Sequence, residues 1–232
     1  MKRKRDKTRH NLLAITKNII QQQGIIGFRL CDISKAANIS AGSLYSHFSS
    51  KESLLISLYL ERLEATIALR KEISQSNLSY YEKILAVNLV LIMFSLHHDR
   101  GDGLNFMLAN RSLWENAEPA LKMQMEGGYA LLHAQHVQLW DDARIKGGLL
   151  SDNKICNDVR HQLFCYQRGC VVSLQNPMIR GGQEQKTSAH YLEIMINIMR
   201  QLCWEPKTDS IDKKHLETHC RTLVDQSDLA II

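Results

Sequence analysis

The sequence lacks an apolar run long enough to cross a bilayer. Its longest run, residues 84–96, has thirteen residues and includes Asn88 and Ser95, whereas a transmembrane helix needs about 20. The basic N-terminus is not followed by a continuous apolar segment or a small-residue cleavage site, so we expect no secretory signal. These absences predict a cytoplasmic protein with no membrane partner.

Motifs of metal centres and of common catalytic sites are also absent. The six cysteines form no C-x-x-C pair and no zinc-finger spacing. The chain has no G-x-S-x-G elbow, no glycine-rich phosphate loop and no H-E-x-x-H segment. We therefore expect no enzyme activity, no catalytic residues, no bound metal and no cofactor. Most of the cysteines should be reduced and buried.

Alternation of apolar and polar residues, the mark of β-strands, is almost missing, whereas a helical period recurs throughout. The fold class should be all-α. Gly24 should end the first helix. Ser49 with Glu52, and Ser79 with Glu82, have the spacing of capping boxes that open two later helices.

Positive charge is concentrated at one end of the chain. Residues 1–51 contain ten Lys or Arg and two Asp, a net charge of +8, which leaves −3 on the remainder of a chain whose total is +5. This asymmetry predicts a head that binds a polyanion, attached to a body that does not.

The segment "NISAGSLYSHFSSKESLL", residues 38–55, explains that charge. A short helix before it and another within it, separated by a three-residue turn, predict a helix-turn-helix. Gly42 and Ser43 are small enough for a helix to approach the floor of a major groove. Polar groups that could reach phosphate follow at Tyr45, His47 and Lys51. The residues expected to anchor the second short helix on the core are Ile33, Ala36, Leu44 and Phe48.

Residues 30–55, and "GSLYSHF" followed by "SKESLL" in particular, resemble the N-terminal domain of TetR-family transcriptional regulators. The resemblance covers roughly residues 8–60. It implies a three-helix helix-turn-helix domain with a basic arm at residues 1–50 and a larger helical effector-binding and dimerisation domain at residues 51–232. It also implies a homodimer on double-stranded, palindromic operator DNA, with dimer contacts expected in the helices near 153–176 and 189–203.

Two positions depart from the family's pattern. Arg29 occupies a place where the family often has a Ser or Thr that caps the second helix, and an Arg cannot cap through an oxygen. Ala41 occupies a place where Lys, Arg or Pro is frequent, so base contacts should depend more on Ser40, Ser43 and the basic arm. The residues expected to contact DNA are Lys4, Arg5, Arg29, Ser40, Ala41, Gly42, Ser43, Tyr45, His47 and Lys51.

In this family the effector pocket lies among the middle helices, where the chain has apolar and aromatic residues with a few polar groups. That composition suits a small hydrophobic effector, although each residue could equally belong to the core. The candidates are Met93, Phe94, His97, Met107, Trp114, Tyr129, His133, His136, Trp140, Phe164 and Tyr166.

Three functions remain open at this point. The first is an effector-controlled regulator, usually a repressor. The second is an architectural or nucleoid-associated DNA-binding protein without a small effector, which a tightly filled C-terminal core would favour. An enzyme that uses Ser43, Tyr45 and His47 is the third, and the spacing of these residues around a short helix makes it the weakest.

Overall fold

The computed structural model describes residues 2–97, 103–176, 186–205 and 211–227, without the side chains of residues 2–4, 97 and 106. These residues form α-helices joined by short connections and contain no β-strand, only one isolated bridge between Leu149 and Trp204. The predicted all-α fold is confirmed. The helices are α1 (Lys2–Gly27), α2 (Leu30–Ala36), α3 (Ala41–Tyr45), α4 (Lys51–Gln75), α5 (Tyr80–His97), α6 (Leu104–Met107), α7 (Arg111–Glu115), α8 (Pro119–Lys146), α9 (Asn153–Leu174), α10 (Ser188–Met199) and α11 (Lys213–Gln226).

The described residues divide into two compact units. The first contains those up to residue 64 and those from 103 to 129, and the second contains those from 65 to 97 and from 130 onward. Helices α4 and α8 each contribute one part to either unit. In the described part of the chain, no helix is both long and apolar enough to cross a membrane.

The first unit is built on a small core shared by α1, α2 and α3. Ile33, Leu44 and Phe48 are at most 1% exposed, as an anchor for α3 requires, but Ala36 is exposed and takes no part, contrary to expectation. Helix α1 continues to Gly27 through a kink at Gly24, where φ is 77°. The predicted end at Gly24 is therefore a break in direction, because glycine adopts this φ without steric cost.

The second unit surrounds the apolar helix α5. This helix packs against α9, α10 and α11. Met93 and Phe94 of α5 belong to the resulting core, together with Trp140 of α8. The continuous apolar sequence of α5 follows from this position, since a helix covered on most sides has no face for water.

One of the two predicted capping boxes is confirmed, whereas the other and the prediction about the cysteines need correction. Ser79 and Glu82 form the predicted capping box, with Ser79 N donating to Glu82 Oε2 at 2.9 Å. At α4, however, Ser50 is the cap and accepts from Ser53 N at 3.0 Å, whereas Ser49 hydrogen-bonds elsewhere. All six cysteines are free, but only Cys156 and Cys220 are buried, so the prediction that most are buried is wrong.

Candidate nucleic-acid interface and ligand cavity

The turn between α2 and α3 is fixed by backbone geometry at Asn38. Its φ of 51° lies in the left-handed region, where Asn is tolerated better than most residues. This conformation lets Asn38 N donate to Lys35 O and Ile39 N donate to Ser34 O, both at 3.0 Å. The last carbonyls of α2 are thus satisfied, and the four residues 37–40 connect α2 to α3.

Helix α3 begins with a cap from Ser40. Its hydroxyl oxygen accepts a hydrogen bond from Ser43 N at 3.1 Å, which satisfies one free N–H of the first turn. If Ser40 also contacts a base, its Oγ must do so while it accepts the hydrogen bond from Ser43 N. By contrast, Arg29 at the start of α2 makes no side-chain cap, as its chemistry predicts.

One face of α3 is open to solvent and lined by small groups. Ala41 and Gly42 are exposed, Ser43 is partly exposed and Tyr45 is 53% exposed. A Cβ placed on Gly42 would meet only Ser40 Oγ, at 4.0 Å. The fold therefore does not require glycine here, whereas close approach to another molecule would.

Two arginines of α1 hold the C-terminal end of α3. Arg5 Nη2 donates to Ser46 O at 2.9 Å, and Arg9 Nη1 donates to His47 O at 2.6 Å. Arg9 also donates to Ser57 Oγ at 2.6 Å and lies 4.3 Å above the ring of Phe48. Cations suit the C-terminal end of a helix because its carbonyls are unpaired. The sequence analysis predicts a DNA contact for Arg5 and assigns no role to Arg9. Their spacing of four residues puts both on one face of α1 and could have indicated a shared partner.

The imidazole of His47 is held in its neutral form. Burial lowers its pKa, and the positive charges of Arg5 and Arg9 lower it further. Its Nδ1 is buried without a hydrogen-bond partner among the described residues. A neutral ring beside two arginines can donate one hydrogen bond to an anion from Nε2, but it adds no charge.

Lys51 connects the start of α4 to the turn after α1. Its Nζ donates to Phe28 O at 2.9 Å and to Ile26 O at 3.4 Å, and it lies 4.0 Å from the centre of the Phe28 ring. Burial lowers its pKa, and the neighbouring Glu52 acts in the opposite direction. At most one of its three N–H donors remains for phosphate. Lys51 therefore stabilises the contact between α4 and the end of α1 in addition to contributing positive charge.

A polar contact joins the loop after α3 to the start of α8. Glu118 Oε1 accepts from Ser49 N at 3.2 Å and from Ser49 Oγ at 2.7 Å, and Glu118 N donates to Ser53 Oγ at 3.2 Å. The hydrogen bonds from Ser49 lower the pKa of Glu118, although burial opposes them. The carboxylate is therefore ionised and well satisfied at neutral pH.

The residues predicted to bind an effector are not gathered in one place. Met107, Trp114 and Tyr129 lie in the first unit and the others lie in the second. Met93, Phe94 and Trp140 are buried in the core, while His133 and Phe164 are exposed and Tyr166 is partly exposed. Tyr129 is exposed and contacts Tyr59. The side chains of His97 and, among the DNA candidates, Lys4 lie outside the described residues.

His136 does line a cavity of about 390 Å³ in the second unit. Its walls come from α4, α5 and α8, and they combine basic, polar and apolar side chains. The lining residues are Arg70, Lys71, Ser74, Tyr80, Val87, Ala134, Gln135, His136, Gln138, Leu139 and Asp142. Sequence reasoning did not find Arg70, because an arginine in the middle of a long amphipathic helix resembles a surface residue. Among the described residues, no group of three or more His, Cys, Asp or Glu side chains could hold a metal ion.

Comparison with solved structures shows which fold the chain shares. The reduced form of NemR from E. coli is 21% identical, with a TM-score of 0.58 over 82% of this chain and 96% of that one. KstR2 of Mycobacterium tuberculosis, a ketosteroid transcriptional regulator, is also 21% identical, with a TM-score of 0.52 over 82% and 93%. FadR from Bacillus subtilis, solved with stearoyl-CoA, is 13% identical, with a TM-score of 0.52 over 82% and 94%.

A search of curated proteins found no significant match. Residues 12–58, however, match the family model described as bacterial regulatory proteins, tetR family. That segment contains most of α1, all of α2 and α3, and the first residues of α4. Together with the shared fold, it confirms the resemblance found in the sequence: residues 12–58 form the DNA-binding segment typical of TetR-family transcriptional regulators.

Proposed function

We propose that this chain is a cytoplasmic, homodimeric repressor, not an enzyme, which is released from a palindromic operator by a small effector. Residues 1–50 would bind DNA, and residues 51–232 would bind the effector and form the dimer. The observation that carries the proposal is the exposed face of α3, where Gly42 has open space around its Cα. This face lies in a segment of net charge +8, so charge supplies affinity and α3 supplies base contacts.

The cavity beside His136 supports control by an effector. Its volume of about 390 Å³ lies in the range of about 300–1,000 Å³ that small-molecule sites occupy. An architectural DNA-binding protein needs no such space. The complex of FadR with stearoyl-CoA is an example of this fold holding a ligand. An effector that prefers the conformation with low operator affinity must weaken operator binding, and the operator must weaken effector binding by the same factor, because coupling is reciprocal.

Helix α9 offers a surface for the dimer. Phe164 and Val172 are 52% and 40% exposed on this helix. An apolar side chain exposed in one chain gains stability when a second copy covers it. We place the dimer contacts on α9 and α10, within residues 153–176 and 189–203.

Selection from a random pool of DNA duplexes, followed by binding measurements on the enriched sequence, tests the proposal. We expect a palindrome whose half-sites are about 34–36 Å apart, or a multiple of that distance. The protein should sediment as a dimer. Enrichment of no particular sequence would contradict the proposal and favour an architectural role.

Tyr45→Phe tests the contact of α3 with phosphate. Removal of the hydroxyl should weaken binding to the selected palindrome and to unrelated DNA by a similar factor, because phosphate contacts carry no sequence information. Tyr129→Phe, the same change at another exposed tyrosine, should leave both affinities unchanged. If Tyr45→Phe and the wild type bind DNA with equal affinity, the Tyr45 hydroxyl does not contact DNA.

A further inference from the structure

The wall of the cavity between α4, α5 and α8 includes Arg70, a partly buried arginine with one unpaired nitrogen. Arg70 Nε is buried and has no hydrogen-bond partner among the described residues. A buried N–H group without an acceptor is unfavourable, because its lost hydration is not replaced. Gln135 Oε1, also on the cavity wall, is similarly unpaired, although its amide nitrogen donates to Ile67 O at 3.1 Å. The cavity thus presents polar groups that a ligand could satisfy.

The charges around Arg70 make the cavity positive. Burial lowers the pKa of Arg70 to about 10, and the positive charge of Arg168 on α9 contributes in the same direction. Asp142 is the one acidic residue of the lining. Its Oδ1 accepts from Lys146 Nζ at 3.0 Å and from Gln138 Nε2 at 3.1 Å, so its charge is already compensated. The cavity lining therefore offers Arg70 no unpaired carboxylate.

His136 supplies a neutral hydrogen-bonding group next to this charge. Its pKa is lowered to about 4, mainly by burial, and the cations Arg70 and Arg160, together with His133, contribute in the same direction. At neutral pH the ring is uncharged and has one N–H donor. The remaining walls include Val87 and Leu139, both buried and apolar. One end of the cavity's ligand should therefore be charged and the other should be hydrocarbon.

We propose that this cavity binds a small organic acid whose carboxylate pairs with Arg70, with a hydrogen bond from His136 and the hydrocarbon part against Val87 and Leu139. The planar guanidinium matches a carboxylate, which can accept two of its N–H groups. A single buried cation suits one negative charge better than the charge of nearly two that a phosphate monoester carries. The inference deepens the proposed function, in which the ligand of this cavity is the effector.

Matched pairs of ligands test the inference without DNA. The probes are hexanoate, octanoate, decanoate and 4-phenylbutyrate, each with its primary amide, and calorimetry gives their dissociation constants for the full chain. At least one acid should bind tighter than its amide by on the order of tenfold, since only the acid pairs with a cation. In Arg70→Met the preference should disappear. Lys71→Met removes an exposed cation from the same wall, and it should retain the preference.

Titration of His136 by NMR gives a second reading that does not depend on a variant folding correctly. A bound carboxylate should raise the pKa of His136 from about 4, whereas a bound amide should not, because a nearby negative charge favours the imidazolium. Circular dichroism checks that Arg70→Met is folded. Acids that bind no tighter than amides, or a preference that survives in folded Arg70→Met, would overturn the inference.

Operator binding separates the inference from the proposed function. If an acid binds through Arg70 and releases the protein from its operator, both are supported. Should the acid bind in the same way without any effect on the operator complex, the organic-acid site stands and the effector role fails. Release of the operator by the amides as effectively as by the acids would support an effector role and contradict the organic-acid site.

Discussion

Replacement of Gly42 by alanine should separate the stability of the protein from its affinity for DNA. The new methyl group would lie in open space, with Ser40 Oγ at 4.0 Å as its nearest neighbour. Gly42 is the second residue of α3, and alanine is favoured over glycine within a helix by about 0.5–1 kcal/mol. We therefore expect the variant to melt at a temperature about 1–4 °C above that of the wild type.

Affinity for DNA should change in the opposite direction. Gly42 is on the exposed face of α3, next to Ala41 and one turn before Tyr45. A methyl group at this point would hold the helix away from the groove floor and lengthen the neighbouring hydrogen bonds. Loss of one good base contact costs about 1–3 kcal/mol, so the dissociation constant for the selected operator should rise by at least about fivefold.

Gly127→Ala is the matched control. Gly127 is an exposed glycine within α8, and a Cβ there would meet nothing within 4 Å. It should gain a similar stability and bind the operator as the wild type does. Thermal melting and fluorescence anisotropy on labelled operator measure the two quantities. If Gly42→Ala binds DNA with wild-type affinity, α3 does not approach the groove through this residue.

Three further variants test other parts of the structure. Arg9→Met should lower the free energy of unfolding by about 1.5–3 kcal/mol, because it loses charged hydrogen bonds to His47 O and Ser57 Oγ. Urea unfolding measures the loss, with Lys7→Met, at an exposed position, as the control. Equal stabilities of the two variants would show that the contacts of Arg9 do not stabilise the fold. Asn38→Gly should preserve the free energy of unfolding, whereas Asn38→Val should lower it by about 1–2 kcal/mol, because valine is strained at a φ of 51°. Equal melting temperatures of the two variants would show that this φ imposes no strain. His136 has a folded-state pKa of about 4, below its unfolded value, so its contribution to stability is complete above pH 6.5 and is lost as the pH falls toward 4. Wild type should lose about 2 kcal/mol more than His136→Gln between pH 7 and pH 4.5, and identical losses would show that the ring is not desolvated.

The helix-turn-helix could be predicted from the sequence because its determinants are local. The cap from Ser40, the small residues after it and the anchors Leu44 and Phe48 all lie within nine residues. Each acts on its own helix or on the neighbouring turn. The family's pattern in this segment reflects the same local requirements, and the match to residues 12–58 falls on it.

The roles of residues whose hydrogen-bond partners lie far away in the sequence could not be predicted. Ser49 has the spacing of a cap, but its hydroxyl and amide are taken by Glu118, 69 residues later. Ser50, the next residue, caps α4 in its place. Arg9 similarly bonds a carbonyl 38 residues away. No pattern of period 3.6 contains such information, because it specifies which face a residue occupies and not what covers that face.

The cavity shows the same limit for the ligand site. The predicted set was chosen for apolar and aromatic character, and this criterion selects core residues such as Met93 and Trp140 as readily as ligand contacts. Of that set, only His136 lines the cavity. The cavity wall also includes Arg70, and the burial of its Nε becomes evident only in the folded chain.

The two helices that carry Arg70 and His136 both begin in the first unit. Helix α4 carries Lys51 at its first turn and Arg70 five turns later, and α8 follows directly from Glu118 and carries His136. A carboxylate held by Arg70 and His136 would link these helices through one ligand. Because a helix is stiff over a few turns, a change in their separation at that level must be accommodated along their length. If the proposed effector acts through these helices, the hydrogen bonds of Ser49 to Glu118 would be part of the coupling. Glu118→Gln should then weaken the release of the operator by the ligand while it leaves ligand affinity intact.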